Sequence, residues 1–314
     1  MINVLIKKKK LEAPDIVSFE LTSLEGEKLP DATPGAHIDV CVSSGMTRQY
    51  SIYNDPQKTD SYKIAVLKDS NSRGGSVALH EDFHEGDVIG ISAPRNLFEL
   101  NNEAPSYILV AGGIGITPIL SMADRLQSEQ RSFSLHYFAR NIDKAAFYDQ
   151  IISCDWADKS SFYFDDEEKE SFHQALLNAN HQAHLYVCGP NGFMEFVFSS
   201  ARKVGWSEFR LHKEHFSSAP REDAENQAFD VEIASSGERF HIPEGRSVFE
   251  VLDDAGVDVN VSCEQGICGS CLIRVISGVP DHRDQFLSND ERAKNDQFTP
   301  CCSRSLTKML VLDL

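Results

Sequence analysis

The chain has 314 residues, 41% of them apolar, and 30 Lys and Arg against 48 Asp and Glu give a net charge of −18. That length suits about two to three domains, and the acidic balance argues against nucleic acid or an anionic membrane surface as a partner. No apolar run is long enough to span a bilayer, so a soluble, cytoplasmic protein is expected.

The basic run Lys7-Lys8-Lys9-Lys10 has no apolar segment after it that would make a signal peptide, and it reads as a solvated strand edge. Up to about residue 102, short apolar and β-branched runs at 3–6, 16–21, 37–42, 49–53, 62–67 and 87–91 alternate with Pro-Gly, Ser-Gly, Asn-Asp-Pro and Glu-Gly breaks. They predict a small antiparallel β-barrel. Within it, Arg48-Gln49-Tyr50-Ser51 places a cation, a ring and a hydroxyl on one strand, with Arg48 and Tyr50 on the same face. Ser72-Arg73-Gly74-Gly75-Ser76 adds a glycine turn beside a second arginine. Arginine pairs with phosphate and tyrosine stacks on flat rings. Each stretch alone reads as surface; together, ahead of a nucleotide crevice and a metal loop, they suggest a flavin.

After Asn101-Asn102-Glu103-Ala104-Pro105 the pattern becomes alternating strands and helices, with strands at 107–111, 133–138, 162–164 and 184–187, the mark of a parallel α/β sheet. Ala111-Gly112-Gly113-Ile114-Gly115-Ile116-Thr117-Pro118 joins a buried strand to a helix, with Thr117 suited to the N-cap and Pro118 to the first helical position. Such glycines let a pyrophosphate approach the backbone at a helix N-terminus, although a plain tight turn explains them equally well. A second loop, Val187-Cys188-Gly189-Pro190-Asn191-Gly192, also follows a strand. Two such strand ends would form the crevice where α/β sheets bind ligands. Cys188 is either a small buried hydrophobe or a contact of the nicotinamide. Asp165-Asp166-Glu167-Glu168 suits a ribose diol and would repel a 2′-phosphate, whereas Arg140 argues the other way; the balance leans to NADH.

Residues 217–228 are polar and aperiodic, an interdomain linker. In the remaining 229–314, Cys263, Cys268, Cys271 and Cys301 are spaced C-x4-C-x2-C followed by x29 and Cys, the plant-type 2Fe-2S spacing. A structural zinc site usually needs two CxxC pairs, and there is one. Cys301 and Cys302 are adjacent, so spacing alone leaves the fourth ligand open. The other cysteines, Cys41, Cys154 and Cys188, are scattered, as in a reducing compartment. The acidic surplus of this last segment would steer a basic partner or serve only solubility.

These stretches, Arg48-x-Tyr50-Ser51, Gly112 to Pro118, Cys188-Gly189-Pro190 and the cysteine loop, resemble the phthalate dioxygenase reductase family of the ferredoxin–NADP reductase superfamily, over essentially the whole chain. The resemblance implies an FMN-binding barrel at 1–102, an NAD-binding α/β domain at 103–216, a linker at 217–228 and a β-grasp 2Fe-2S ferredoxin domain at 229–314. It implies Arg48 and Gly74-Gly75-Ser76 near the FMN phosphate, Tyr50 against the isoalloxazine and Ser51 near its N5. Thr117 is implied between flavin and nicotinamide, Gly113 and Gly115 at the pyrophosphate, Cys188-Gly189-Pro190 at the nicotinamide, and Phe216 over the flavin. Ser51, Thr117 and Cys188 are the implied catalytic residues, and Cys301 rather than Cys302 is the implied fourth ligand.

The function implied is an NADH-dependent reductase that passes electrons through FMN and the 2Fe-2S cluster to a Rieske-type oxygenase acting on an aromatic acid or a quaternary amine. Two other classes stay open: a stand-alone diaphorase or flavin reductase, which has no need of a cluster, and a non-enzymatic redox sensor, which has no need of a hydride-transfer crevice.

Overall fold

In this computed structural model, which describes residues 1–42, 46–55, 60–69, 74–165, 170–216 and 226–314, the first strand, β1 (Ile2–Ala13), buries Val4 and Ile6 on one face. With β2 (Ile16–Ser23), β3 (His37–Cys41), β4 (Thr47–Ser51), β5 (Tyr62–Leu67) and β6 (Val88–Ile91) it makes a six-stranded antiparallel sheet in the order β4-β3-β6-β1-β2-β5. Alternate residues, among them Phe19, Leu21, Ile38, Val40 and Ile64, face a common core. Just past β4, Ile52 bridges Ile64 of β5, and the Tyr53 N–H donates to the Lys63 carbonyl at 2.8 Å. The two outermost strands therefore meet, and the sheet curls into the expected barrel.

The sequence predicts a turn at Gly74-Gly75-Ser76; the structure starts a short helix there, α1 (Gly75–Glu81). The lysine run is a solvated strand edge as expected, paired with β2 but past the end of the pairing with β6, with Lys7 and Lys10 largely exposed. It lies inside β1, where Lys7 and Lys10 pair with Glu20 and Glu12 at 3.0 and 2.7 Å, and Lys9 Nζ donates to the His80 and Phe83 carbonyls at the end of α1. Cations suit that end of a helix.

The second half of the same unit is a parallel sheet: β7 (Tyr107–Gly112), α2 (Ile116–Ser128), β8 (Phe133–Phe138), α3 (Tyr148–Ile152), β9 (Ser160–Tyr163), α4 (Glu170–Asn178), β10 (His184–Cys188), α5 (Asn191–Lys203) and β11 (Leu211–Glu214). The order β11-β10-β7-β8-β9 reverses between β7 and β10, the place where such sheets bind ligands. β11 was not foreseen, because Leu-His-Lys-Glu carries no strand pattern. Helix α2 also starts earlier than expected: a 3-10 turn at Gly113–Gly115 runs into Ile116, and Gly115 takes the cap position. Pro118 is tolerated inside the first turn because N–H groups there have no intrahelical acceptor. Barrel and sheet share one hydrophobic cluster, with Ala13, Ile16, Tyr53 and Phe98 packed among Leu109, Ile116, Phe147 and Tyr186. They form one compact unit, Met1–Glu214.

The second unit, His215–Leu314, contains β12 (Phe229–Ile233), β13 (Arg239–Ile242), α6 (Val248–Asp254), β14 (Ile273–Ser277), β15 (Pro280–Asp281), α7 (Asn289–Arg292), β16 (Gln297–Phe298), β17 (Arg304–Ser305) and β18 (Met309–Leu312). The sheet order is β13-β12-β18-β14-β16, with β12 and β18 parallel in the middle. Helix α6, started by the reciprocal Ser247 and Glu250 capping pair, lays Val248 and Leu252 on that sheet. This is the β-grasp arrangement. Of the expected linker, residues 217–225 lie outside the described residues; Asn226 and Gln227 are held by Arg283 and Arg304. Among the described residues no helix is long and apolar enough to cross a membrane.

Candidate functional site

The hydrogen-bonded register of β3 and β4 sets Tyr50 opposite Ile38, Arg48 opposite Val40 and Ser51 opposite His37. Arg48 is buried, donates from Nη1 to the Thr47 carbonyl at 2.7 Å, and lays its stem over Gly75, where an added Cβ would stand 2.8 Å from Arg48 Cγ. The structure thus brings Arg48 and the Gly74-Gly75-Ser76 segment together. Gly74 has φ +94° and open space where a side chain would be, while the Ser76 hydroxyl accepts from the Asp69 N–H at 3.1 Å. Ser72 and Arg73 lie outside the described residues. Burial raises the Tyr50 hydroxyl well above its ordinary pKa against the opposing pull of Arg48, so it stays neutral.

The two glycine turns touch backbone to backbone. A Cβ on Gly115 would stand 2.3 Å from the Cys188 carbonyl oxygen and 2.7 Å from the Gly189 nitrogen. Gly112 and Gly189 both lie under the ring of Phe193, whose atoms come within 2.6 and 2.8 Å of the positions their side chains would take. Gly113, at φ +55°, faces open space instead. The buried Thr117 hydroxyl donates to the Ile114 carbonyl at 3.1 Å and closes the 3-10 turn. Pro190 immediately precedes α5. Phe193 was not singled out from the sequence; its only signal is its place four residues after Gly189.

Where the barrel meets this edge, three polar side chains from distant parts of the chain converge. Cys188 ends β10 fully buried, and the register of β10 and β11 puts Glu214 beside it. The Ser51 hydroxyl hydrogen-bonds the Glu214 carboxyl. Glu214 Oε2 is sealed from solvent with no hydrogen-bond partner. Burial pushes the Glu214 pKa up to about 8, with the Ser51 bond opposing, so the acid is largely protonated at neutral pH. Burial, and then the nearby Glu214 carboxyl, raise the Cys188 thiol well above its ordinary value. Cys188 is therefore a neutral thiol in this setting and no nucleophile. Glu214 has no signal of its own in the sequence, because nothing in one sequence marks the end of an unforeseen strand as a site.

An orphaned buried carboxyl oxygen beside a strand with a buried cation and a tyrosine, next to two strand-end turns of which one leaves glycine space open, fits a flavin facing a dinucleotide. Arg140 and Asp165 lie side by side past β8 and β9, the Asp165 N–H donating to the Arg140 carbonyl at 3.3 Å; residues 166–168 of the acidic run lie outside the described residues. Phe216 follows β11 and is 39% exposed.

In the second unit the sulfurs stand in pairs. Cys271 and Cys301 Sγ are 3.3 Å apart, and the Cys263 thiol lies beside Cys268 and holds the latter's pKa below its ordinary value. The Gln265 and Ile267 N–H groups donate to Cys263 Sγ at 3.4 Å each, and the Ser270 N–H to Cys268 Sγ at 3.5 Å. Cys302 lies beside Cys301, with its sulfur 3.3 Å from Thr299 Oγ1 and against Gly266 of the cysteine loop. A single tetrahedral ion needs its donors around one point, and among the described residues no three His, Cys, Asp or Glu side chains gather so. Two thiol pairs served by backbone N–H groups suit two irons joined by sulfides.

Two family models match the chain: an oxidoreductase NAD-binding domain at residues 109–198 and a 2Fe-2S iron-sulfur cluster binding domain at residues 231–306. The vanillate O-demethylase oxidoreductase of Pseudomonas sp. (strain HR199 / DSM 7063) is 49% identical over the full length of both chains. The phthalate dioxygenase reductase of Burkholderia cepacia is 42% identical over 98% of this chain and 96% of its own. The carnitine monooxygenase reductase subunit of Escherichia coli (strain K12) is 36% identical over 94% and 93%. The solved structure of phthalate dioxygenase reductase, a modular structure for electron transfer from pyridine nucleotides to [2Fe-2S], superposes with a TM-score of 0.82 at 42% identity, covering 100% of this chain and 98% of that one. With that span, identity and order of parts, the chain belongs to the phthalate dioxygenase reductase family and is an oxidoreductase with an NAD-binding and a 2Fe-2S cluster-binding domain.

Proposed function

We propose that this protein is the reductase component of a Rieske-type oxygenase system, taking electrons from NADH through FMN and the 2Fe-2S cluster to the oxygenase. The cofactors are FMN, NAD and the cluster. They supply hydride acceptance at the flavin and one-electron delivery at the cluster; the chain's residues supply placement.

Arg48 with Gly74-Gly75-Ser76 would hold the FMN phosphate, and Tyr50 and Phe216 would cover the ring. Ser51 would present its hydroxyl at N5, where Glu214 can supply a proton through it. Gly113 would let the pyrophosphate reach the backbone, Thr117 would stand between the two rings, and Cys188-Gly189-Pro190 would form the nicotinamide floor. Cys263 and Cys268 would hold one iron and Cys271 and Cys301 the other. The acidic surface of 229–314 would meet a basic face of the oxygenase, and the cytoplasm is the compartment that suits free thiols. NADH is favoured over NADPH by Asp165 and the acidic residues after it.

The observation that carries this reading is the convergence of Ser51, Cys188 and Glu214 beside the paired glycine turns, in a chain that also holds four paired thiols. An anaerobic NADH titration followed by visible absorbance and low-temperature EPR tests it. Flavin bleaching followed by a rhombic reduced-cluster signal is expected. A protein that carries zinc, or whose flavin NADH does not reduce, sinks the proposal, and a reduced cluster that no Rieske-type protein reoxidises leaves a diaphorase.

A further inference from the structure

Tyr137, on β8, is fully buried, and its hydroxyl donates to the Gly113 carbonyl at 3.2 Å, on the turn that would face the dinucleotide. The same hydroxyl lies against the backbone amide of Ala146. The next residue, Phe147, is buried with φ 64° and ψ 12°. A bulky side chain rarely adopts this left-handed backbone and keeps it only where packing over-determines it.

The packing here is the ring of Tyr53, 4.6 Å from that of Phe147 between centroids. Tyr53 lies two residues past Ser51, on the stretch that leaves β4, and its N–H is tied to the Lys63 carbonyl at 2.8 Å. A Lys144–Asp15 ion pair at 3.2 Å also joins the barrel to the segment that leads into Phe147. A second line of rings runs alongside, with Tyr148 on Phe162 at 4.6 Å and Phe162 on Tyr137 at 6.0 Å. The strand that would hold the flavin is thus joined to the turn that would hold the dinucleotide by buried contacts in unbroken succession: Tyr53, Phe147, Ala146, Tyr137, Gly113.

We infer that Tyr53, Phe147 and Tyr137 are positioning residues that fix the flavin strand and the dinucleotide turn in one alignment, so that filling either cofactor site tightens binding at the other. Hydride transfer demands such an alignment, because a small misplacement of the reacting atoms forfeits much of the rate. Coupling of this kind is reciprocal, and order imposed by the first ligand need not be imposed again by the second. The inference rests on the reductase reading, since it assigns the two ends of the succession to FMN and NAD.

The probe that isolates it is ADP-ribose, which carries the pyrophosphate but lacks the nicotinamide and cannot touch the flavin ring through it. Its dissociation constant is measured by titration calorimetry on the full chain with and without FMN. The expected result is tightening by FMN of about tenfold in the wild type. Tyr137→Phe and, separately, Phe147→Leu bring the ratio to about one, with the cluster EPR signal unchanged. If Tyr137→Phe does not fold, Phe147→Leu decides alone. Stopped-flow flavin reduction by NADH should then fall about tenfold in limiting rate in the same variants, with NADH binding to the FMN-loaded protein weakened by about the same factor. A wild-type ratio of one, or a ratio kept in the variants, overturns the inference; the latter would route the coupling through β5, which runs beside the Gly113–Gly115 turn. Failure of the wild-type chain to bind FMN or ADP-ribose at all overturns the reductase reading itself.

Discussion

Replacing Glu214 by Gln removes a buried acid while keeping its shape. Burial raises this carboxyl from an ordinary 4.5 to about 8. Because the folded value is the higher, the folded chain keeps a proton that the unfolded chain gives up. Its stabilising contribution is therefore complete below pH 4.5 and is lost as the pH rises through about 8. At about 1.4 kcal/mol per pH unit the loss has a ceiling of about 5 kcal/mol, and water reaching the half-buried residue lowers it. For a unit of this size each kcal/mol moves the melting temperature by about 2–4 °C. Scanning calorimetry from pH 5 to 9 on wild type and Glu214→Gln should show the two nearly equal at pH 5 and the wild type several degrees lower at pH 9, in the transition of the FMN-containing unit only. An infrared carbonyl band of protonated carboxyl at pH 7, absent from the variant, is the accompanying sign. A difference curve that is flat, or that favours the wild type at high pH, refutes the assignment of a neutral acid beside Ser51.

Cys301→Ser should abolish the cluster EPR signal and electron delivery to a one-electron protein acceptor while flavin reduction by NADH persists. Cys302→Ser, at a sulfur turned to Thr299 Oγ1, should keep both the signal and delivery. Gly115→Ala forces a methyl to within 2.3 Å of the Cys188 carbonyl; a cost of about 1–3 kcal/mol and weaker ADP-ribose binding, with FMN retained, are expected by calorimetry. Burial lowers the pKa of His136, bonded to Tyr163 Oη at 2.9 Å, to about 4. Its contribution is complete above the ordinary 6.5 and is lost as the pH falls through about 4, so acid titration of wild type against His136→Gln should reveal about 3 kcal/mol.

The parts of this molecule that a single sequence discloses are those whose signal is local. The cysteine spacing discloses the cluster loop, the run from Phe133 to Phe138 discloses β8 to the residue, and the strands before residue 102 disclose the barrel. Helix α1 escaped because its seven residues begin at Gly75, which reads as a turn, and are set by Arg48 lying across them. Strand β11 escaped because its pairing with β10, not its own composition, makes it a strand. With β11 went Glu214, whose role depends on Ser51, far away along the chain.

Gly115 shows why a motif can be legible while its reason is not. The sequence offers a turn where a phosphate can approach a bare backbone, and that is how glycines in such turns are usually read. In the turn after β7 Gly113 has open space on the side a Cβ would occupy, whereas Gly115 is bare so that this turn can rest on the Cys188 carbonyl at the end of β10. Gly112 and Gly189 are bare for the ring of Phe193. Three of the five glycines thus fit the two turns together; Gly192 opens from the first turn of α5, and Gly113 is left just past the end of β7 to meet a ligand. A substitution at Gly113 should then act on dinucleotide affinity with little effect on stability if its left-handed backbone is kept, as with Asn, whereas one at Gly115 must act on both. The pair of measurements separates a phosphate cradle from a packing joint in a way that the motif itself cannot.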